Sequence, residues 1–195
     1  MISNWKEYLF TVTSDLYRYC GQRNFRSFVN CYFFIPGFRY SFFMRSAQYF
    51  KTKGLFFLPF YTIARILLNH YQFKFGISIP YNTNIGSGLY IGHFGGIVVN
   101  CKTIIGCNCN LNHGVTIGAA FGGKYEGTPV VMDNVYFGPG SKIIGGILLG
   151  NHVAVGANCV VTRPIADYSV VVGIPARVVS MKGSSQYIIN TIDIA

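Results

Sequence analysis

The chain is short of acidic residues, of tryptophan and of long apolar runs. Its 195 residues include six Asp and Glu against 16 Lys and Arg, and a single Trp. Charged residues make up 11% and hydrophobic residues 51%, which is too apolar for a disordered protein. Six cysteines without CxxC spacing favour buried, reduced thiols and exclude a disulfide scaffold.

The mean hydropathy of +0.36 raises the question of a membrane span. The longest apolar stretch, residues 55–68, is interrupted by Pro59 and Arg65, whereas a spanning helix needs about 20 apolar residues. The N-terminal MISNWKEYLF lacks the basic start and apolar core of a secretory signal. We therefore predict a cytoplasmic protein, with peripheral contact of the N-terminal region at the cell membrane left open.

The composition changes sharply near residue 76. Residues 1–76 hold ten basic and two acidic residues, a net charge of +8, whereas residues 77–195 hold six and four, a net charge of +2. The first part also holds 23 of the 32 aromatic residues. It is predicted to be α-helical, and the predicted helices are Ser3–Tyr19, Pro36–Thr52 and Leu55–Tyr71.

A six-residue repeat runs through residues 77–180. An aliphatic or aromatic residue recurs at every sixth position, as in Val131, Phe137, Ile143, Leu149, Val155 and Val161. Since a helix repeats every 3.6 residues and a strand every two, this period indicates short strands and tight turns, three to a triangular coil. A Gly-rich β-sandwich is the alternative. The segment 119–130 breaks the register and predicts a projecting loop, and residues 181–195 form a C-terminal tail.

Three strings resemble the serine acetyltransferase branch of the hexapeptide-repeat acyltransferases. They are IGSGLYIGHFGGIVV at 85–99, NHGVTIG at 112–118 and VVGIPARVV at 171–179. NHGVTIG and PGFRY at 36–40 also resemble O-acetyltransferases of capsule and exopolysaccharide loci. The resemblance implies a left-handed parallel β-helix, acetyl-CoA as the donor, and a homotrimer with active sites between neighbouring prisms.

His93 and His113 occupy the same position in their repeats. They are 20 residues apart, and removing a two-residue slip leaves 18, one complete coil. Both side chains are therefore expected to face outward on adjacent coils. The resemblance implies that His93 is the general base that deprotonates an acceptor hydroxyl. His113 is a second catalytic candidate, with a structural role equally open.

The acceptor site departs from the family pattern. Ser78 and Gly92 replace acidic residues and Thr128 replaces a histidine, whereas Asp15 matches a retained acid. These losses argue against free serine, so the predicted acceptor is a sugar hydroxyl of a surface polysaccharide or its precursor. The alternatives are a serine or other small-molecule acetyltransferase and a non-catalytic scaffold or glycan-binding module. The candidate acceptor-binding residues are Asp15, Arg45, Ser78 and Thr128.

Other ligands follow from the resemblance or are excluded by spacing. A carbonic anhydrase of this fold needs two histidines five residues apart, and the four histidines offer no such pair, so no metal is predicted. No nucleic-acid motif accompanies the basic residues. GAAFGGKY at 118–125 lacks the final Ser or Thr of a phosphate-binding loop. The predicted acetyl-CoA contacts are Gly118, Ala119, Lys124, Gly138, Gly156 and Arg177.

Overall fold

A computed structural model describes residues 2–193, which form α-helices followed by a β-helix. Met1 and the last two residues of the predicted tail, 194 and 195, lie outside the described residues. None of the helices within residues 2–193 has the length and apolar character that crossing a bilayer requires. The helices are α1 (Trp5–Cys20), α2 (Phe25–Phe34), α3 (Pro36–Lys51), a 3-10 turn (Leu55–Phe57) and α4 (Leu58–Phe75).

Short polar residues and glycine set the ends of the first two helices. The Asn4 side chain accepts the Glu7 backbone N–H at 2.9 Å and begins α1, and Gly21 ends it in the left-handed conformation. Asn24 caps α2 in the same way. This second helix was not predicted, because only one of its ten side chains is buried and no apolar period marks it. Its capping asparagine was the available signal.

The rest of the chain winds as a left-handed parallel β-helix, as predicted. Three parallel sheets have the strand orders β1-β4-β7-β10-β13, β2-β5-β8-β11 and β3-β6-β9-β12-β14, and β15 adds antiparallel to β14. The strands are β1 (Ile77–Ser78), β2 (Asn84–Ile85), β3 (Tyr90–Ile91), β4 (Ile97–Val99), β5 (Ile104–Ile105), β6 (Asn110–Leu111), β7 (Thr116–Gly118), β8 (Val130–Val131), β9 (Tyr136–Phe137), β10 (Lys142–Ile144), β11 (Leu148–Leu149), β12 (Ala154–Val155), β13 (Val160–Val161), β14 (Val170–Val172) and β15 (Arg177–Ser180).

The repeated apolar residues fill the interior of the prism. Ile105 pairs with Val131, and Leu111 pairs with Phe137, one coil apart, and these four side chains are at most 1% exposed. Burying an aliphatic or aromatic side chain of this size contributes about 1.5–3 kcal/mol. Stacked identical positions therefore explain both the six-residue period and the stability of the prism.

The two-residue slip lies in the turn that follows β3. Ile91 pairs with Leu111, 20 residues later, whereas Val99 pairs with Ile117, 18 residues later. The first coil therefore carries two extra residues in its corner, at positions 94 and 95, directly after His93. This insertion widens the corner where the candidate base lies.

The helices close the base of the prism. A Cβ at Gly37 would overlap the carbonyl oxygen of Ile91, so the start of α3 lies directly against the first coil. Further along α3, the Tyr40 hydroxyl donates to the Ile79 carbonyl at 2.9 Å and accepts its N–H at 3.1 Å. α3 therefore crosses the base and fixes the first coil at both of these points.

Candidate active site

His93 and His113 lie together on one edge of the prism. The pairing of Tyr90 with Asn110 and of Ile91 with Leu111 places the two histidines on adjacent coils. Their imidazole rings are 5.8 Å apart at an angle of 73°, and both residues are exposed. Neither side chain accepts or donates a hydrogen bond to another of the described residues. Both imidazoles are therefore free to contact a ligand or a neighbouring copy.

Helix α1 holds the strand that precedes His93. The Tyr19 hydroxyl accepts the Ile91 backbone N–H at 2.9 Å, and its ring lies 4.6 Å from that of Tyr90. Burial raises the pKa of Tyr19 well above its usual range, so this hydroxyl stays neutral and keeps its proton. On the other side of His93, the Phe94 ring lies 5.7 Å from Phe75 of α4. The corner is thus anchored to two helices.

The segment 119–130 leaves the prism as a hairpin. Ala120 and Gly127 exchange backbone hydrogen bonds at 2.9 and 3.0 Å, and Gly146 donates to the Tyr125 carbonyl at 2.8 Å. At the tip, Phe121 is 93% exposed and Lys124 is exposed. The hairpin has a fixed base and presents an aromatic and a basic side chain away from its own prism.

A groove continues from His113 toward the C-terminal coils. Gly140, directly after Pro139, donates to the His113 carbonyl at 2.9 Å, so Pro139 lies one coil above the histidine. The groove has a volume of about 180 Å³. Its lining includes Tyr136, Pro139, Gly156, Ala157, Val172 and Tyr187.

Sequence reasoning missed most of this groove. Pro139 and Ala157 follow the buried lead residues by two positions, as His113 does, so the repeat itself could have identified them. Tyr187 belongs to the tail, which has no repeat. Its ring stacks on Tyr136 at 4.6 Å, a contact that only the folded chain creates.

Asp15 and Arg45 do not face an acceptor, and their predicted substrate-binding role is corrected. Both side chains are 1% exposed and form an ion pair of 3.0 Å between Arg45 Nε and Asp15 Oδ2. Asp15 also accepts the Leu89 N–H at 2.8 Å, and Arg45 donates to the carbonyls of Ile85 and Gly86 at 2.7 Å. The pair is consumed in joining α1 and α3 to the first coil.

A second buried arginine joins three parts of the chain. Arg18 is 1% exposed and donates to the Gly88 carbonyl at 2.8 Å, to the Asn110 side chain at 2.7 Å and to the Ile189 carbonyl at 3.0 Å. Asn110 in turn donates to the Tyr187 carbonyl at 3.0 Å. Arg18 therefore ties α1, two coils and the tail together.

The other two acceptor-binding candidates lie apart from the histidine pair within one chain. Ser78 pairs with Val98 and lines a cavity between α4 and the first coil, with a volume of about 250 Å³, which His93 does not line. Thr128 donates its hydroxyl to the Lys102 carbonyl at 3.2 Å. A structural reason for Thr128 is thus present, and Ser78 is separated from His93 by the widened corner.

The predicted donor-binding residues divide into two groups. Gly138 is buried, and a Cβ there would lie 2.7 Å from the Val155 carbonyl oxygen, so close packing alone requires this glycine. Gly156 lines the groove, and Arg177 is exposed and pairs with the groove residue Val172. The remaining three lie at the base and tip of the hairpin, and they are Gly118, Ala119 and Lys124.

Metal-binding clusters were sought in the same part of the chain. Among residues 2–193, no group of three or more His, Cys, Asp or Glu side chains is placed to hold a metal ion.

The sequence matches the family model described as bacterial transferase hexapeptide (six repeats) over residues 128–163. It is 37% identical over 123 residues to the serine acetyltransferase of Staphylococcus epidermidis, covering 63% of this chain and 58% of that protein. The chain therefore matches less than two thirds of the length of its curated relatives.

The structural likeness extends into the helices. Serine acetyltransferase of Neisseria gonorrhoeae in complex with serine has a TM-score of 0.74 at 25% identity, covering 90% of this chain and 70% of that one. The Brucella abortus enzyme in complex with coenzyme A has a TM-score of 0.73 at 25% identity, covering 93% and 70%. This chain belongs to the serine acetyltransferase-like branch of the hexapeptide-repeat proteins.

These comparisons contradict the predicted polysaccharide acceptor. The matched relatives are named serine acetyltransferases, and one neighbour is a complex with serine itself. The prediction rested on three replaced side chains, at positions 78, 92 and 128, and it gave them more weight than the likeness of the whole fold. The small-molecule alternative is the one the comparisons favour.

Proposed function

We propose that this protein transfers the acetyl group of acetyl-CoA to serine or a related small hydroxyl or amine acceptor. The observation that carries the proposal is the exposed His93–His113 pair, 5.8 Å apart, on a β-helix that overlays serine acetyltransferase over 90% of its length. A structural neighbour is a complex with coenzyme A, which supports the donor.

In this proposal His93 is the general base. Its neutral imidazole takes the proton of the acceptor hydroxyl as the oxygen attacks the thioester carbonyl. The tetrahedral intermediate collapses by breaking the carbon–sulfur bond, and the histidine returns its proton to the departing thiolate of coenzyme A. The products are the acetyl ester and free coenzyme A. No covalent enzyme intermediate is formed.

The groove above His113 suits the extended arm of the donor. Its wall is formed by Pro139, Ala157 and Tyr187, small or flat side chains that leave a channel open along the prism. Arg177 lies beside the far end, where it pairs with Val172, and its guanidinium would contact phosphate oxygens there. A donor bound along this line presents its thioester toward the histidine corner.

We further propose that a homotrimer completes the site. His93 has no hydrogen-bond partner among residues 2–193, and the hairpin tip with Phe121 and Lys124 projects away from its own prism. A neighbouring copy would supply both the orienting group for His93 and a surface for the hairpin. Sedimentation equilibrium should give three times the chain mass of 21.7 kDa.

The decisive experiment measures coenzyme A release from acetyl-CoA in the presence of L-serine and, separately, of small alcohols and amines that lack either the ammonium or the carboxylate. We expect release that depends on the acceptor. His93→Asn should lower kcat by about 10²–10⁴-fold, the contribution of a positioned general base.

His152→Asn is the matched control. His152 lies in the left-handed region (φ 57°), which asparagine tolerates, and its ring stacks on Tyr168 at 4.8 Å, at another corner of the prism. This variant should keep full activity. If no small acceptor releases coenzyme A, or if His93→Asn is as active as the unchanged protein, the proposed function is wrong.

A further inference from the structure

The end of the helical layer formed by the start of α1, the end of α3 and the start of α4 carries a continuous exposed apolar surface. We call this surface the aromatic end. It comprises Trp5, Leu55, Phe56, Leu58, Phe60 and Ile63, which are between 50% and 86% exposed. A cavity of about 220 Å³ between these helices opens within it and is lined almost entirely by apolar side chains.

Ring contacts make this surface one unit. The Phe50 ring stacks on Phe57 at 6.1 Å and on Phe60 at 5.6 Å, and Phe56 packs edge-on against Phe57 at 5.4 Å. On the α1 side, Trp5 lies 5.8 Å from Tyr49. Single exposed apolar residues are ordinary, but a contiguous group of this size marks a surface that contacts another apolar phase.

The charges around the aromatic end are positive. Lys51 Nζ lies 5.4 Å from the centre of the Tyr61 ring, and Lys53 Nζ lies 4.9 Å from that of Tyr49, so both ammonium groups lie on its edge. The one nearby acid, Glu7, caps α1 by accepting the Ser3 N–H at 2.7 Å. In the whole helical region the only other acid, Asp15, is buried against Arg45.

We propose that the aromatic end docks on the surface of an anionic lipid bilayer. Aromatic and aliphatic side chains that insert at the interface, together with lysines that meet anionic headgroups, are the two components of peripheral binding. The absence of a spanning helix among residues 2–193 agrees with attachment at the surface.

Docking in this orientation leaves the candidate active site open. The aromatic end includes the last turn of α3, whereas its first turn lies against Ile91, two residues before His93. An α-helix of 16 residues is about 24 Å long. The histidine corner therefore stays clear of the lipid surface, and the inference is independent of which acceptor the site uses.

The test is vesicle flotation of the full chain at 50 mM salt, with phosphatidylcholine vesicles and with vesicles containing 30% phosphatidylglycerol. We expect flotation with the anionic vesicles only, weakened at higher salt. The double change Leu55→Ser and Phe56→Ser should abolish it. Lys51→Gln with Lys53→Gln should weaken binding about 25-fold, about fivefold for each lysine.

Matched controls separate docking from general stickiness. Phe33→Ser with Phe34→Ser changes two exposed rings at the end of α2, and Arg163→Gln with Lys182→Gln removes two charges from the prism. Both should float like the unchanged protein. Equal loss in these controls, equal flotation with neutral vesicles, or no flotation overturns the proposal. A smaller sedimentation coefficient for the Leu55→Ser, Phe56→Ser protein without vesicles also overturns it, because the surface would then join copies of this chain.

Discussion

Replacing Arg45 by methionine tests the buried ion pair that joins the helices to the prism. The change keeps a side chain of similar length but removes the cation 3.0 Å from Asp15 and the donors to the Ile85 and Gly86 carbonyls. Asp15 would then be a buried carboxylate held chiefly by the Leu89 N–H. Removing one partner of a buried pair costs about 3–5 kcal/mol.

This loss should be visible as a large fall in melting temperature. For a chain of 150–250 residues each kcal/mol corresponds to about 2–4 °C, so a loss of about 4 kcal/mol predicts a fall of about 8–16 °C. Circular dichroism at 222 nm follows the helices through the transition. Arg26→Met removes an exposed arginine and should change the melting temperature by less than about 2 °C, as surface substitutions within 0.5 kcal/mol do.

The double variant Asp15→Asn, Arg45→Met separates the pair from the loss of packing. Asparagine still accepts the Leu89 N–H but leaves no buried charge, so the double variant should regain about 0.5–3 kcal/mol relative to the sum of the single changes. If Arg45→Met melted like the unchanged protein but had a raised KM for the acceptor, the structural role would be wrong and the acceptor-binding role of the sequence prediction would stand.

Two further predictions concern packing and thiol chemistry. Gly138→Ala should lower stability by about 1–3 kcal/mol in urea unfolding, because its Cβ would meet backbone, whereas Gly118→Ala should cost less, because its nearest neighbour is a movable side-chain end; equal stabilities would contradict the packing argument. Burial raises the pKa of Cys109 to about 12, so a thiol reagent at pH 8 should label the exposed Cys20 and Cys101 first and reach Cys109 only on unfolding; rapid labelling of Cys109 would contradict its burial.

Much of the fold was predictable because the repeat is local. Each buried lead residue, such as Ile105 or Leu111, is followed by the next after six positions, and the coil length then fixes which residues stack. The same arithmetic placed His93 beside His113, and the 5.8 Å between their rings agrees with it. Short-range periodicity carries this information without any tertiary contact.

The acceptor could not be predicted in this way. The reasoning treated positions 78, 92 and 128 as a complete account of the acceptor site, but a site between copies of a chain depends on groups that one chain's motif order does not bring together. Asp15 and Arg45 show the complementary error. Their charges suggested ligand contacts, and the fold uses them for each other because both side chains are shut off from water.

The sequence alone determined the prism, its register and the outward histidine edge, since a six-residue period leaves few other ways to bury the aliphatic residues. Only the tertiary structure decided where the two extra residues of the first coil lie, beside His93. It also decided that Tyr187 of the tail forms one wall of the groove and that the aromatic residues near Phe56 gather at one end of the helices. These features depend on contacts between segments far apart in the chain, which no local pattern records.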